Sequence, residues 1–269
     1  VAVLGHAMMV DRRSMDRPAG DGLASCLTRH GLSVHLADLR GHGRSGPTPR
    51  EGADWGYDDI VFRDLPALVA DARDRHPGLP VFLVGHSLAG HCGLAAAGCG
   101  AYGDRPPDGH VLFAVNTWIR GMDTSAWRDM LRWRDVQIFR LLTALWGYFP
   151  SRTVRMGPAE EAATYVSDLS RSFLSGRWGS ADGAHDYYAG LARVRGPVLS
   201  LAGAADRLMA HPKFAEQWSA AMTGADLEFR VLGAGDLGLT ADPGHMELVT
   251  DRGSTGVWDE VGRWIAARC

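Results

Sequence analysis

The sequence predicts an α/β protein: a mostly parallel central sheet with helices on both faces and a helical lid inserted between two strands. Three observations lead there. Six short runs rich in Val, Leu and Phe are each bounded by Gly, Pro or Asp. The runs are continuously apolar rather than alternating, the pattern of strands covered on both faces. Helical periodicity fills most of the gaps between them, and strand alternating with helix is the mark of a parallel sheet.

Along the chain, strands are expected at Val1–His6, Val34–Leu39, Pro80–Gly85, His110–Asn116, Pro197–Gly203 and Leu227–Leu232. Leu23–His30 and Ile60–Arg75 carry apolar residues at helical spacing, Leu88–Gly98 is small and apolar, and Pro212–Met222 is mixed. The alternation breaks once, from Thr117 to Gly196, where helical periodicity continues without a convincing strand. Residues Trp118–Gly190 are about a quarter of the chain yet hold about half of its aromatic residues, Trp118, Trp127, Trp133, Trp146 and Trp178 among them. A connection that long is structured or functional. It is expected to form a helical lid (118–190) on a core made of 1–117 and 191–269.

Composition excludes several classes. The chain has 269 residues, 46% hydrophobic and 22% charged, enough to bury a core without disulfide or metal staples. Lys and Arg number 28 against 31 Asp and Glu, for a net charge of −3, and no polybasic tract offers a surface for nucleic acid. The longest stretch without Asp, Glu, Lys or Arg, His76–Gly103, is interrupted by His, Pro and many Gly. It reads as a buried strand, a turn and a small-residue helix, not a membrane span. No signal peptide is read, which makes the cytoplasm the expected compartment. Cys26, Cys92, Cys99 and Cys269 show neither metal spacing nor a disulfide framework, and Cys92 and Cys99 are expected as free buried thiols on one helix. His86 and His91 stand five apart with no carboxylate cluster, so neither metal nor cofactor is expected. Gly41 and Gly43 lack the Lys and the spacing of a phosphate-binding loop.

The chemistry is concentrated in a few motifs. Val81-Phe82-Leu83-Val84-Gly85-His86-Ser87-Leu88-Ala89-Gly90 is an apolar strand, a small-residue turn and a small-residue helix. It resembles the nucleophile elbow of the α/β-hydrolase superfamily, in which a Ser sits on a strained turn at the C-terminal edge of the sheet. Small residues two before and two after that Ser let backbones approach; here they are Gly85 and Ala89, with Ala where the pattern has Gly. Asp38-Leu39-Arg40-Gly41-His42-Gly43-Arg44-Ser45 resembles the loop after the family's fourth strand, a turn-building element. Asp206, in Gly203-Ala204-Ala205-Asp206-Arg207-Leu208, resembles the triad acid, and His245, in Asp242-Pro243-Gly244-His245-Met246, resembles the triad His. The order Ser, Asp, His is the family's own. Asp242 precedes a Pro and reads as a turn former. Asp123, after the fourth strand, is a second position from which some members supply the acid.

The resemblance implies Ser87 as nucleophile, His245 as the base that takes its proton, and Asp206 as the group that orients His245. It also implies an oxyanion hole from the amides of Leu88 and Met8. Met8 lies in Gly5-His6-Ala7-Met8-Met9, which is similar to the family's His-Gly-x turn, with Ala7 in the Gly place. With Val10-Asp11-Arg12-Arg13, these motifs are most similar to bacterial hydrolases of serine-aminopeptidase-like type. The expected function is a cofactor-free serine hydrolase that cleaves a small carboxylic ester with an apolar acyl group through an acyl-enzyme. Met9, Trp118, Leu208 and Met246, neighbours of the expected site, are the expected pocket residues. The same acyl-enzyme serves an acyltransferase or a cyclising thioesterase, and the fold also carries non-catalytic ligand-binding proteins. The lid tryptophans suit a pocket and a contact between copies equally well. The first run corresponds to the family's third strand. Either a segment of about 20 to 40 residues precedes the numbered chain, or the sheet is trimmed to six strands.

Overall fold

The six expected runs pair into one parallel sheet in the computed structural model, which describes residues 1–269. The strands are β1 (Ala2–Gly5), β2 (Val34–Leu36), β3 (Phe82–His86), β4 (Gly109–Phe113), β5 (Pro197–Gly203) and β6 (Asp226–Leu232). Their spatial order is β2-β1-β3-β4-β5-β6, with every pairing parallel. The chain leaves β1 toward one edge and then returns to build β3 on its other side. Such a switch point opens a crevice beyond the C-terminal ends of β1 and β3, where open parallel sheets place their ligands.

The helices are α1 (Leu23–Arg29), α2 (Tyr57–Asp59), α3 (Leu65–Arg75), α4 (Leu88–Cys99), α5 (Ala126–Trp146), α6 (Ala163–Ser175), α7 (Tyr187–Gly190), α8 (Pro212–Ser219), α9 (Glu247–Thr250) and α10 (Thr255–Ala266). They cover both faces of the sheet, because side chains along a strand point alternately to either side. Val1, Val3, Val81, Leu83 and Leu112 join α3, α4 and α8 in one core. Ala2, Leu4, Phe82, Val84 and Phe113 join α1, α9 and α10 in another. The continuously apolar pattern holds for β1, β3, β4 and β5, which are essentially buried. The edge strands β2 and β6 are half-exposed.

Several boundaries differ from the expected ones for local reasons. β2 stops at Leu36, and Asp38 just beyond it accepts the amides of Arg12 and Arg44, which turns the chain away. β4 stops at Phe113 because Ala114 adopts φ +51°, outside any strand conformation. The helix expected over Ile60–Arg75 is α2, a π-helical turn over Ile60–Asp64, and α3. Pro66 has no amide to donate and its ring crowds the preceding turn, and just before it the Leu65 amide reaches back five residues to Ile60. The expected helices do not include α10, whose Val257, Trp258, Val261, Trp264 and Ile265 form a buried stripe at helical spacing. All four cysteines are free; Cys92 is buried as expected, whereas Cys99 is only partly so.

Between β4 and β5 the chain forms α5, α6 and α7 and adds no strand to the sheet. Ser125 caps α5 by accepting the Arg128 amide, and Gly147 ends it at φ +79°. The inner side of α5 buries Arg132, Val136 and Thr143. Its outer side leaves Trp127, Met130, Trp133, Leu141 and Leu145 exposed. The tryptophans of this segment therefore divide between two faces. No helix is long and apolar enough to cross a membrane.

Candidate active site

Ser87 sits between the end of β3 and the start of α4 at φ +49°, ψ −108°, a conformation that costs a residue with a Cβ about 1–3 kcal/mol. Close approach of backbones sets what can flank it. A methyl on Gly85 would lie 2.4 Å from Gly90 Cα. Ala89, where the family pattern has Gly, is accommodated from the opposite side. A methyl added to Gly5 would fall 2.5 Å from Ala89 Cβ, so the one extra carbon in the elbow occupies the space that Gly5 leaves open. Gly5→Ala is expected to destabilise the chain by about 1–3 kcal/mol. Adding Ala89→Gly should recover most of the loss in a denaturation double-mutant cycle, and strict additivity would refute this pairing.

Asp206 lies in the loop after β5 and His245 in the loop after β6. The structure brings these two together: His245 Nδ1 donates to Asp206 Oδ2 at 2.7 Å. The same carboxylate accepts the amides of Ala210 at 2.9 Å and Leu208 at 3.4 Å. Burial raises the Asp206 carboxyl, but His245 and the two amides outweigh it and hold it below the usual carboxylate range. Ser87 and His245 both line one cavity, without a hydrogen bond between them. Asp123, the other candidate acid, is committed elsewhere. It is bound by Arg128 at 2.7 Å and by the fully buried Arg132 at 2.8 Å. Burial opposes its ionisation, yet Arg128, the Ser125 amide and Arg132 bring its pKa down to about 2. Asp242 accepts the Ala234 amide at 2.8 Å and shapes the turn before His245.

Met8 follows β1 and Leu88 opens α4, so both amides lie at the switch point. Neither is hydrogen-bonded within the chain, and Leu88, as the first helical residue, has no intrahelical acceptor. The turn between them is tied down by neighbours. Ala89 donates to the His6 carbonyl at 3.3 Å. His6 Nδ1 donates to the Ala7 carbonyl at 2.8 Å, and Nε2 accepts the Leu39 amide at 3.1 Å. Burial, reinforced by His42, lowers His6 to about 4, so the ring is neutral in this tautomer near pH 7.

The cavity is narrow, about 80 Å³ in volume. Trp118, Phe139, Tyr165, Phe173 and Trp178 form much of its wall, and Met8, which carries one of the two candidate donors, also lines it. Of the expected pocket residues Trp118 is there, its indole N–H bonded to the Met209 carbonyl at 3.1 Å. Met9, Leu208 and Met246 do not line it. Met9 adopts φ +62° and turns into the core. Leu208 has its carbonyl drawn to Arg132 at 3.1 Å, and Met209 takes its place in the wall. Met246 caps α9. Adjacency in sequence to a site residue is a poor guide here, because the left-handed turn at Met9, the hold of Arg132 on Leu208 and the start of α9 at Met246 each set the side chain elsewhere.

Two histidines that sequence reasoning set aside as metal ligands also have places here. His86 Nε2 donates to the His245 carbonyl at 2.9 Å, holding that loop against β3. Burial and then the nearness of His245 push it down to about 3. His91 lines the cavity; its Nδ1 accepts from the Tyr57 hydroxyl at 2.6 Å, which in turn accepts from Trp178 at 3.1 Å. Burial takes His91 to about 3 as well, so both are neutral under ordinary conditions. Their only signal in the sequence was nearness to Ser87. Away from the cavity, Cys26, His30 and Asp259 bring three donor atoms within 4.8 Å between α1 and α10, where Cys26 and His30 both bond to the Asp259 carboxylate.

An all-parallel sheet with a switch point, a Ser on a positive-φ strand-to-helix turn and a His–Asp pair on two later loops define the α/β-hydrolase fold class. The profile of the Hydrolase_4 family, described as serine aminopeptidase, S33, matches residues 18–233, and the chain belongs to that family. Among curated relatives, a monoglyceride lipase homolog of Monkeypox virus is 35% identical over 77 residues, 29% of this chain and 27% of that protein. The chain thus spans about a quarter of that relative's length. Among solved structures, the monoacylglycerol lipase of Paleococcus ferrophilus superposes with TM-score 0.64 at 14% identity, over 100% of this chain and 94% of that one. A soluble variant of the Saccharomyces cerevisiae monoglyceride lipase, in complex with a substrate analog, gives 0.67 at 19% identity, over 99% and 85%. At these identities the structural likeness is one of fold.

Proposed function

We propose that this chain is a serine hydrolase that cleaves a carboxylic ester with an apolar acyl group through an acyl-enzyme. One observation carries the reading: Ser87, on its strained turn, and the Asp206-bonded His245 line the same aromatic cavity. A neutral hydroxyl is a weak nucleophile, so His245 takes the Ser87 proton as the oxygen attacks the acyl carbon. Asp206 fixes the tautomer that leaves the other ring nitrogen free to accept, and stabilises the imidazolium that forms. The amides of Met8 and Leu88 receive the negative oxygen of the tetrahedral intermediate. His245 then returns the proton to the departing alcohol, and water repeats the cycle on the acyl-enzyme. Membership of a hydrolase family supports this, as do the lipase names of the relatives.

A panel of p-nitrophenyl esters of rising chain length, with amide and thioester analogues, tests the reading. Esters of short to medium chain should turn over, with rates that fall once the acyl group outgrows the narrow cavity. Turnover of amides alone, with every ester inert, would overturn the ester assignment.

A further inference from the structure

We propose that Glu161, from the segment between β4 and β5, is a positioning residue that braces the oxyanion turn by holding the Met9 peptide. The proposal rests on the serine-hydrolase reading in which the Met8 amide is an oxyanion donor.

Glu161 is completely buried, and its Oε1 accepts the Met9 amide. That peptide unit joins Met9 to Met8, so fixing its plane fixes the chain one bond away from the proposed donor. The same segment holds the other side of Met9. Ala159 donates its amide to the Met9 carbonyl at 3.1 Å. Gly157 lies so close that a methyl there would sit 2.2 Å from that carbonyl oxygen and 2.8 Å from Met9 Cβ. Met9 is therefore clasped at both polar groups by residues 157–161. It needs such a hold, because φ +62° is a conformation that residues with a Cβ rarely keep unaided. Glu161 is itself anchored, since its backbone exchanges hydrogen bonds with Phe149 at 2.9 and 3.2 Å.

The far side of the carboxylate meets the Asp38–Ser45 loop. His42 Nε2 lies 3.2 Å from Glu161 Oε1, and His42 Nδ1 donates to the Arg40 carbonyl at 2.7 Å. Both ring nitrogens thus face acceptors, which suits an imidazolium against the carboxylate. Burial alone would lower His42, but Glu161 and the Arg40 carbonyl outweigh it and raise it. The His42 ring also neighbours that of His6, at 5.0 Å between centroids. A buried carboxylate is costly to keep, and Glu161 Oε2 has no partner. What the residue supplies in return is one acceptor at the place where three loops converge on the oxyanion turn.

The test uses the full chain carrying Glu161→Ala, Glu161→Gln or Gly157→Ala, with hydrogen exchange at Met9 and kinetics on a p-nitrophenyl ester. Glu161→Ala should speed Met9 exchange by about tenfold or more while β3 amides stay protected. It should lower kcat by about 10²-fold, the scale of one oxyanion donor, with KM within about threefold. Glu161→Gln keeps an oxygen for the Met9 amide and should restore kcat to within about tenfold of the parent. If Glu161→Ala does not fold, Gly157→Ala disturbs the clasp from the other side and should lower kcat with KM held. Unchanged Met9 exchange in a folded Glu161→Ala, or a raised KM at constant kcat, would overturn the proposal. An inert parent chain with Ser87 unlabelled by a fluorophosphonate would instead sink the hydrolase reading, and the exchange measurement would still decide the brace.

Discussion

Ser87→Ala should leave a folded chain whose ester turnover is lower by about 10⁵- to 10⁶-fold and which no longer takes up a fluorophosphonate label. The loss is that large because the remaining machinery has nothing to attack with. His245 would have no hydroxyl to deprotonate, and the Met8 and Leu88 amides would wait for an intermediate that does not form. Undiminished labelling of the variant would refute Ser87 as the nucleophile. A companion variant separates chemistry from strain. Ser87→Gly removes the Cβ that makes φ +49° unfavourable, worth about 1–3 kcal/mol, against about 0.5–1 kcal/mol of added chain entropy. It should be equally inactive yet more stable than the parent by about 1 kcal/mol in denaturant. A less stable Ser87→Gly would mean that the turn holds no strain.

Asp206→Asn has the second-largest expected effect, a fall in kcat of about 10⁴-fold with little change in fold. The carboxylate accepts from His245 Nδ1 and from the amides of Ala210 and Leu208. An amide in its place offers the ring an N–H group as readily as an oxygen, so His245 adopts the tautomer that points its proton at Ser87. The same contacts give a pH signature. Because Asp206 is held below its ordinary pKa in the folded chain, its stabilising share is complete above the usual carboxylate value. It is lost as the pH falls through the depressed one. The parent should therefore lose stability in acid more steeply than Asp206→Asn. Parallel curves would show that the contacts of this carboxylate contribute nothing to folding.

The architecture was legible because buried parallel strands write themselves as short apolar runs, and each of the six appears close to its expected place. Where boundaries moved, single residues were responsible: Ala114 at positive φ, Asp38 pulling the chain from β2, and Pro66 beside a π turn. Helix α10 carries an equally regular signal, Val257, Trp258, Val261, Trp264 and Ile265 after Gly253 and the cap Ser254, so it too is legible in the sequence. Ser87, Asp206 and His245 stand out in sequence because each follows a strand in a motif of its own. Glu161 does not. It bonds the Met9 amide some 150 positions earlier, and only the folded chain brings the two together. Met9, Leu208 and Met246 show the converse: proximity along the chain to a site residue does not bring a side chain into the cavity.

The sheet also partitions the molecule. None of the residues that line the cavity belongs to the second core, the one built from β-strand residues such as Leu4 and Phe82 with α1, α9 and α10. Substitutions on α1 and α10 in that core are separated from the cavity by the sheet, and their free energies should add to those of changes on the other face, whereas α9 begins two residues after His245 and stays coupled to it. One half of this protein is thus a foundation that can be reinforced or weakened while the reacting groups keep their geometry. The other half carries the cavity and Ser87 on its strained turn. Stability and activity in this chain are accordingly separable by location, with the sheet as the dividing wall.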